Sequence, residues 1–178
     1  MKKAELRFTG SGGQGVIMAT IILAEAAYAD KLQAVQSQSY GPEARGGSCK
    51  AECIISDNEI GFTKIVHPTF LMALTQKALE QYAVNLPKDD LVLIDDSLTV
   101  PESLSQNKVC ALPILRTAKE EVGKAMTANI VAVGVINALL GIVDEEHIKE
   151  AVLLHIPKGT EELNQKALLA GERLAKNL

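Results

Sequence analysis

Polar and apolar positions alternate from Ala4 to Thr9, and the alternation stops at a glycine-rich run, Gly10-Ser11-Gly12-Gly13-Gln14-Gly15. Period-two spacing that ends in a turn predicts a half-buried strand. The stretch after it, Val16 to Asp30 (VIMATIILAEAAYAD), is apolar on nearly every helical face, which predicts a buried helix. Lys31 and Leu32 then lead into a short second strand, Gln33 to Gln38. The resulting β-α-β unit predicts two parallel strands joined by a crossover.

Ser39 to Gly47 (SYGPEARGG) is a loop by its three glycines and Pro42. Ser48 to Ser56 and Glu59 to Val66 are expected to form a hairpin turning at Asp57-Asn58. A helix is expected from Phe70 to Tyr82, a strand from Leu91 to Asp95, and a short strand from Lys108 to Leu112 stopped by Pro113. Three helical stretches follow, near Ile114 to Val122, Asn129 to Leu140 and Asp144 to His155, with Asp144 placed as an N-cap. A last amphipathic helix starts near Thr160, with Leu163, Ala167, Leu168, Gly171, Leu174 and Ala175 on one face. These elements predict an α/β fold: a Rossmann-like three-layer domain with a mostly parallel sheet and an inserted β-hairpin. At 178 residues, with no internal repeat or linker, the expected organisation is one domain spanning 1–178.

Composition narrows the function. The net charge is −4 and the Lys and Arg residues are scattered, so the basic stripe of a nucleic-acid binder is missing. Aromatic residues make up 3% of the chain and Trp is absent, which removes a base-stacking platform. Cys49, Cys53 and Cys110 lack the clustered spacing that holds iron–sulfur clusters or structural zinc. His67, His147 and His155 show no ligand spacing and no evident acidic companion, so no metal site is expected. The most apolar run, Ala128 to Val143, is shorter than the roughly 20 residues of a membrane span and contains two asparagines. With no apolar segment behind the two N-terminal lysines, a cytoplasmic protein is expected.

The candidate chemistry lies at two segments. Gly10 to Gly15 fits G-x-G-x-x-G between a predicted strand and a helix, where open N–H groups and the helix dipole favour a phosphate or carboxylate. The other reading is a tight turn that packs closely and binds nothing. Gln14 would add a side-chain amide to the ring of backbone donors, or only solvate the helix start. A dinucleotide site also needs an acid at the end of the second strand. That strand runs out through Gln36-Ser37-Gln38-Ser39, and the acid at the expected distance, Asp30, falls at the end of the helix. The second segment brings Ser39, Tyr40, Glu43 and Arg45 to the carboxyl edge of the sheet; Arg45 could clamp an anion, pair with Glu43 or meet a partner. Asp95-Asp96 ends a strand without an assignable role, and no nucleophile elbow is present.

GSGGQG, QSYGPEARGG, Pro68-Thr69 and NIVAVGVINALLG together resemble the γ subunit of 2-oxoacid:ferredoxin oxidoreductases over essentially the whole chain. The resemblance implies a complex that oxidatively decarboxylates a 2-oxoacid, 2-oxoglutarate more than pyruvate, to its acyl-CoA and passes two electrons to ferredoxin. It places thiamine diphosphate with Mg, and the iron–sulfur clusters, on α, β and ferredoxin-like δ partner subunits. This chain would hold no cofactor alone, would be inactive alone, and would support the core while helping to bind or enclose CoA. The glycine loop and Arg45 would be nearest to that task. In isolation a homodimer is expected, formed through the apolar helix or the hairpin. The rival classes are a free-standing NAD- or FAD-dependent oxidoreductase and a stand-alone nucleotide or acyl-CoA binding module.

Overall fold

A computed structural model describes residues 3–39, 48–84 and 86–178. In chain order its strands are β1 (Lys3–Ser11), β2 (Gln33–Ser39), β3 (Ser48–Ser56), β4 (Phe70–Ala73), β5 (Leu91–Asp95) and β6 (Lys108–Leu112). The helices are α1 (Val16–Ala29), α2 (Gln76–Tyr82), α3 (Ile114–Arg116), α4 (Ala128–Leu140), α5 (Glu145–His155) and α6 (Glu161–Lys176). The six strands form one sheet in the order β2-β3-β1-β4-β5-β6.

β1, β4, β5 and β6 pair in parallel, whereas β3 lies antiparallel to both β1 and β2. β1 and β2 therefore run in the same direction, as the crossover through α1 predicts, but β3 separates them. The inserted hairpin is made of β2 and β3. The expected pairing of Ser48–Ser56 with Glu59–Val66 is corrected: residues 59–66 form no strand, because β1 and β2 already occupy both edges of β3.

The expected helix from Phe70 to Tyr82 divides into β4 and α2. All four residues of β4 are buried, so the strand reads as a continuous apolar run without alternation, as a central parallel strand does. Leu71 and Ala73 face one side, Phe70 and Met72 the other. The helix begins only at Thr75, whose hydroxyl accepts from the Ala78 amide at 3.4 Å.

The two faces are unequally covered. Leu6, Phe8, Cys53, Ile55, Phe70 and Met72 pack under α1 and α4–α6 in the larger core, where the Phe8 and Phe70 rings meet edge to face at 6.2 Å. Leu71, Ala73, Val92 and Ile94 pack with Leu79 of α2 and with Leu104 on the other face. Ten consecutive residues of α4, Ala128 to Asn137, are buried. The expected availability of this helix for self-association is therefore corrected, since α6 and the core already cover it. α4 and α6 approach so closely at Gly134 and Gly171 that an added Cβ would lie 2.2 Å and 2.0 Å from the opposing backbone oxygens. α3 continues into a π-helical turn, Thr117–Val122, that ends at Gly123 with φ 96. Among the described residues no helix is long and apolar enough to cross a membrane.

Candidate functional site

The glycine run leaves the carboxyl end of β1 and enters α1. Gly13 and Gly15 adopt φ 89 and φ 72, conformations that favour residues without a Cβ. The turn is closed by Gln14 N–H donating to Ser11 O at 3.3 Å, and α1 begins with Ala19 N–H donating to Gly15 O at 3.0 Å. Among the described residues, the N–H groups of Gly12, Gly13 and Gly15 find no protein acceptor. They stand at the positive end of a 14-residue helix.

Gln14 does not join that ring of donors. Its Oε1 accepts from Ser11 N–H at 2.7 Å and its Nε2 donates to Leu74 O at 3.4 Å. Leu74 follows β4, and α1 and α2 lie on opposite faces of the sheet, so the crevice between β1 and β4 is the topological switch point where open α/β sheets bind ligands. The Gln14 side chain spans that crevice as a strut. Open space lies instead on the α1 side. A cleft of about 270 Å³ runs from Gly13, Gly15 and Met18 to Lys124, Thr127, Asn129, His155 and Asn164. A second, of about 310 Å³, runs from Ser11 and Gly13 along α1 to Cys49.

The far wall of the first cleft is made by helix ends: the start of α4, the end of α5 and the start of α6. Gly15 is held tight there, because a Cβ would stand 2.6 Å from the Asn129 amide nitrogen. Gly13 is open, with nothing within 4 Å of a Cβ position. His155 Nε2 is buried without a hydrogen-bond partner, and the exposed Met126 overhangs the opening. Sequence reasoning missed Lys124, Asn129, His155 and Asn164. The one available signal was Asn129, a polar residue at the start of an apolar helix.

Of the residues expected at the second segment, Ser39 ends β2, while Tyr40, Glu43 and Arg45 lie outside the described residues. Ser39 and Ser48, which flank residues 40–47, stand at the same sheet edge as the glycine turn. Ser48 pairs with Ser11, and Ser39 is level with Thr9 through Lys50, two strand spacings or roughly 10 Å across.

Asp30 is already engaged. Its carboxylate accepts from the Asp144 amide at 2.6 Å and from His147 Nδ1, so it is turned away from the glycine loop. With β3 standing between β1 and β2, the geometry by which a dinucleotide fold reads a ribose is missing. The contact also corrects the expectation that His147 has no acidic companion. The hydrogen bond to Asp30, followed by the neighbouring carboxylates, raises the His147 pKa above its ordinary 6.5. Asp95 accepts from Ser97 and from the Leu115 amide, and Asp96 pairs with Arg116. The carboxylate pair is thus spent on turns. Burial pushes the Cys49 thiol up and the Cys53 thiol to about 12, which makes neither a nucleophile. Cys110 stands on β6, apart from the other two on β3, and the described residues hold no group of three His, Cys, Asp or Glu able to bind a metal.

Comparison with known proteins agrees over the full length. Residues 5–174 match the family described as pyruvate ferredoxin/flavodoxin oxidoreductase. The 2-oxoglutarate synthase subunit KorC of Methanocaldococcus jannaschii is 41% identical over 179 residues, covering 99% of this chain and 96% of that protein. The crystal structure of the keto/oxoacid ferredoxin oxidoreductase γ subunit from Geobacter sulfurreducens has a TM-score of 0.87 at 44% identity, covering 98% of this chain and 99% of that one. The 2-oxoglutarate:ferredoxin oxidoreductase of Magnetococcus marinus shares the fold, with a TM-score of 0.90 at 20% identity, in 32% of its chain.

Proposed function

This chain belongs to the pyruvate ferredoxin/flavodoxin oxidoreductase family as a γ-type subunit of a 2-oxoacid:ferredoxin oxidoreductase, and from that premise we propose that its enzyme acts on 2-oxoglutarate. The net reaction joins 2-oxoglutarate to CoA, releases CO2 and one proton, and delivers two electrons to two ferredoxins, leaving succinyl-CoA. The observation that carries the substrate is the full-length, 41% identical 2-oxoglutarate synthase subunit.

The donor set of this chain does not fit an iron–sulfur cluster. Its three cysteines are divided between β3 and β6, and two of them are buried. Clusters and thiamine diphosphate with its Mg are accordingly assigned to α, β and ferredoxin-like δ partners, in a cytoplasmic complex. The work left to this chain, a single domain over 1–178, is to support that core and to hold part of CoA. The open N–H groups of Gly12, Gly13 and Gly15 suit a phosphate. Lys124 adds a cation, and Met18, Ile130 and Leu163 offer apolar surface to a flexible arm. Ser39, Tyr40, Glu43 and Arg45 border the same edge by sequence position.

The test is to purify the native complex through a tag on this chain and to assay CoA-dependent viologen reduction with 2-oxoglutarate, pyruvate and a branched 2-oxoacid. Activity with 2-oxoglutarate above the others, and thiamine- and cluster-binding partners in the preparation, are the expected results. Lys124→Ala is expected to raise the CoA KM about tenfold with kcat nearly unchanged, the loss of one charge-assisted contact. An unchanged KM removes Lys124 from the CoA site. A lone inactive chain that binds CoA by calorimetry would favour the stand-alone module.

A further inference from the structure

Asp30 occupies a costly position. It follows the last residue of α1, which puts its carboxylate at the negative end of the helix dipole. The next residue, Lys31, has φ 62 and is the one positive-φ residue other than glycine among the described residues. Such a conformation disfavours any residue with a Cβ and marks a place where surrounding contacts impose the backbone. The Lys31 turn is closed locally, by Lys31 N–H donating to Tyr28 O at 3.0 Å and Leu32 N–H donating to Ala27 O at 2.9 Å, whereas the contacts that offset the position of the Asp30 carboxylate come from one source, the start of α5. Asp144 N–H donates to Asp30 Oδ2 at 2.6 Å and His147 Nδ1 donates to Oδ1, while Asp144 itself caps the helix by accepting from Glu146 N–H at 2.8 Å.

α5 then runs back along α1. Its far end, His155-Ile156-Pro157, forms a wall of the cleft opposite Gly13 and Gly15 at the start of α1. One end of this helix pair is thus fastened by Asp30, and the other end is the cleft. We infer that the Asp30–His147 pair is a proton-operated clasp: protonated, it holds α5 to α1 and fixes the cleft wall; neutral, it lets α5 loosen.

The groups facing His147 set the direction. Asp30 approaches from α1, Asp144 from the cap, and Glu150 from the next turn of α5. α6, packed on α5 as well, directs Glu172 and Lys176 to Glu145. All three groups that face His147 are acids. Together they raise its pKa in the folded chain above 6.5, so the clasp contributes fully below about pH 6.5 and is lost as pH rises through the raised value. The window begins at the ordinary 6.5 and extends upward to the raised value, and acidification through it tightens the wall.

Hydrogen exchange on the full chain, corrected for the intrinsic pH dependence of exchange, tests this directly and requires no ligand. In the wild type, α5 amides are expected to exchange about two- to fivefold faster near pH 8.5 than near pH 6, with α4 unchanged. His147→Gln, which does not titrate, and Asp30→Asn are each expected to abolish that difference. No pH step in wild-type α5, or a step that survives in a folded His147→Gln chain, overturns the clasp. Should neither variant fold, NMR titration of His147 in the wild type decides: a pKa at or below 6.5 overturns it.

Discussion

Gly134 and Gly171 show how one atom decides the packing of the helical layer. On an open helix surface, replacing glycine by alanine gains about 1 kcal/mol in propensity. Here an alanine Cβ at Gly171 would stand 2.0 Å from Val131 O, and backbone on both sides leaves no flexible side chain to give way. The sign therefore reverses. Gly171→Ala is expected to cost about 3 kcal/mol, read as a fall in Tm of roughly 6 to 12 °C in a thermal melt. An unchanged or raised Tm would mean that α4 and α6 are not in backbone contact. The sequence placed Gly171 on the buried face of the last helix, but helical periodicity reports which way a residue faces and not how near the opposite backbone comes. Gln14 carries the same lesson. Its position in GSGGQG was visible, yet only the fold brings Leu74 O within reach and turns the amide into a strut.

At the scale of elements, patterns that depend on neighbours in sequence were legible and those that depend on neighbours in space were not. β1, β5, β6 and the buried α1 and α4 fall close to their expected positions because their periodicity and their Gly or Pro stops are local. Phe70–Ala73 was absorbed into a helix because four consecutive apolar residues carry no period to choose between the two structures. Residues 59–66 read like a strand, but β3 had no free edge to offer them: β2 takes one edge and β1, which is distant in sequence, takes the other. The turn from α4 to α5 is another long-sighted feature. Asn137, buried at the end of α4, donates through Nδ2 to Val143 O at 3.0 Å and accepts from Val143 N–H at 3.2 Å. Asn137→Leu would keep the size and leave both buried backbone groups unpaired. A loss of about 2 to 4 kcal/mol in urea unfolding is expected, with the m-value unchanged. A loss below about 0.5 kcal/mol would show that water satisfies Val143 and that the turn holds itself.

For the whole molecule the question is which surface belongs to other chains. α4 is covered by its own fold, so its apolar character, legible in the sequence as interface or core, resolves to core. The sheet face opposite α1 is different: it bears the seven-residue α2 and the segment before β4, in which Phe62 and Val66 are 60% and 68% exposed. Arg7 ties this segment down by donating to Ile65 O at 3.0 Å, while its guanidinium also pairs with the buried Glu52 at 2.7 Å. Apolar side chains presented by an anchored backbone suit an interface better than a solvated loop does. Without its partner subunits the chain is expected to cover them by pairing with itself, giving about twice the 19.0 kDa of one chain in light scattering at micromolar concentration. Phe62→Ser combined with Val66→Ser should return the mass to that of one chain while circular dichroism stays unchanged. A wild-type chain that is monomeric throughout the micromolar range would remove self-association. A dimer that persists in the double variant would move the interface to another face.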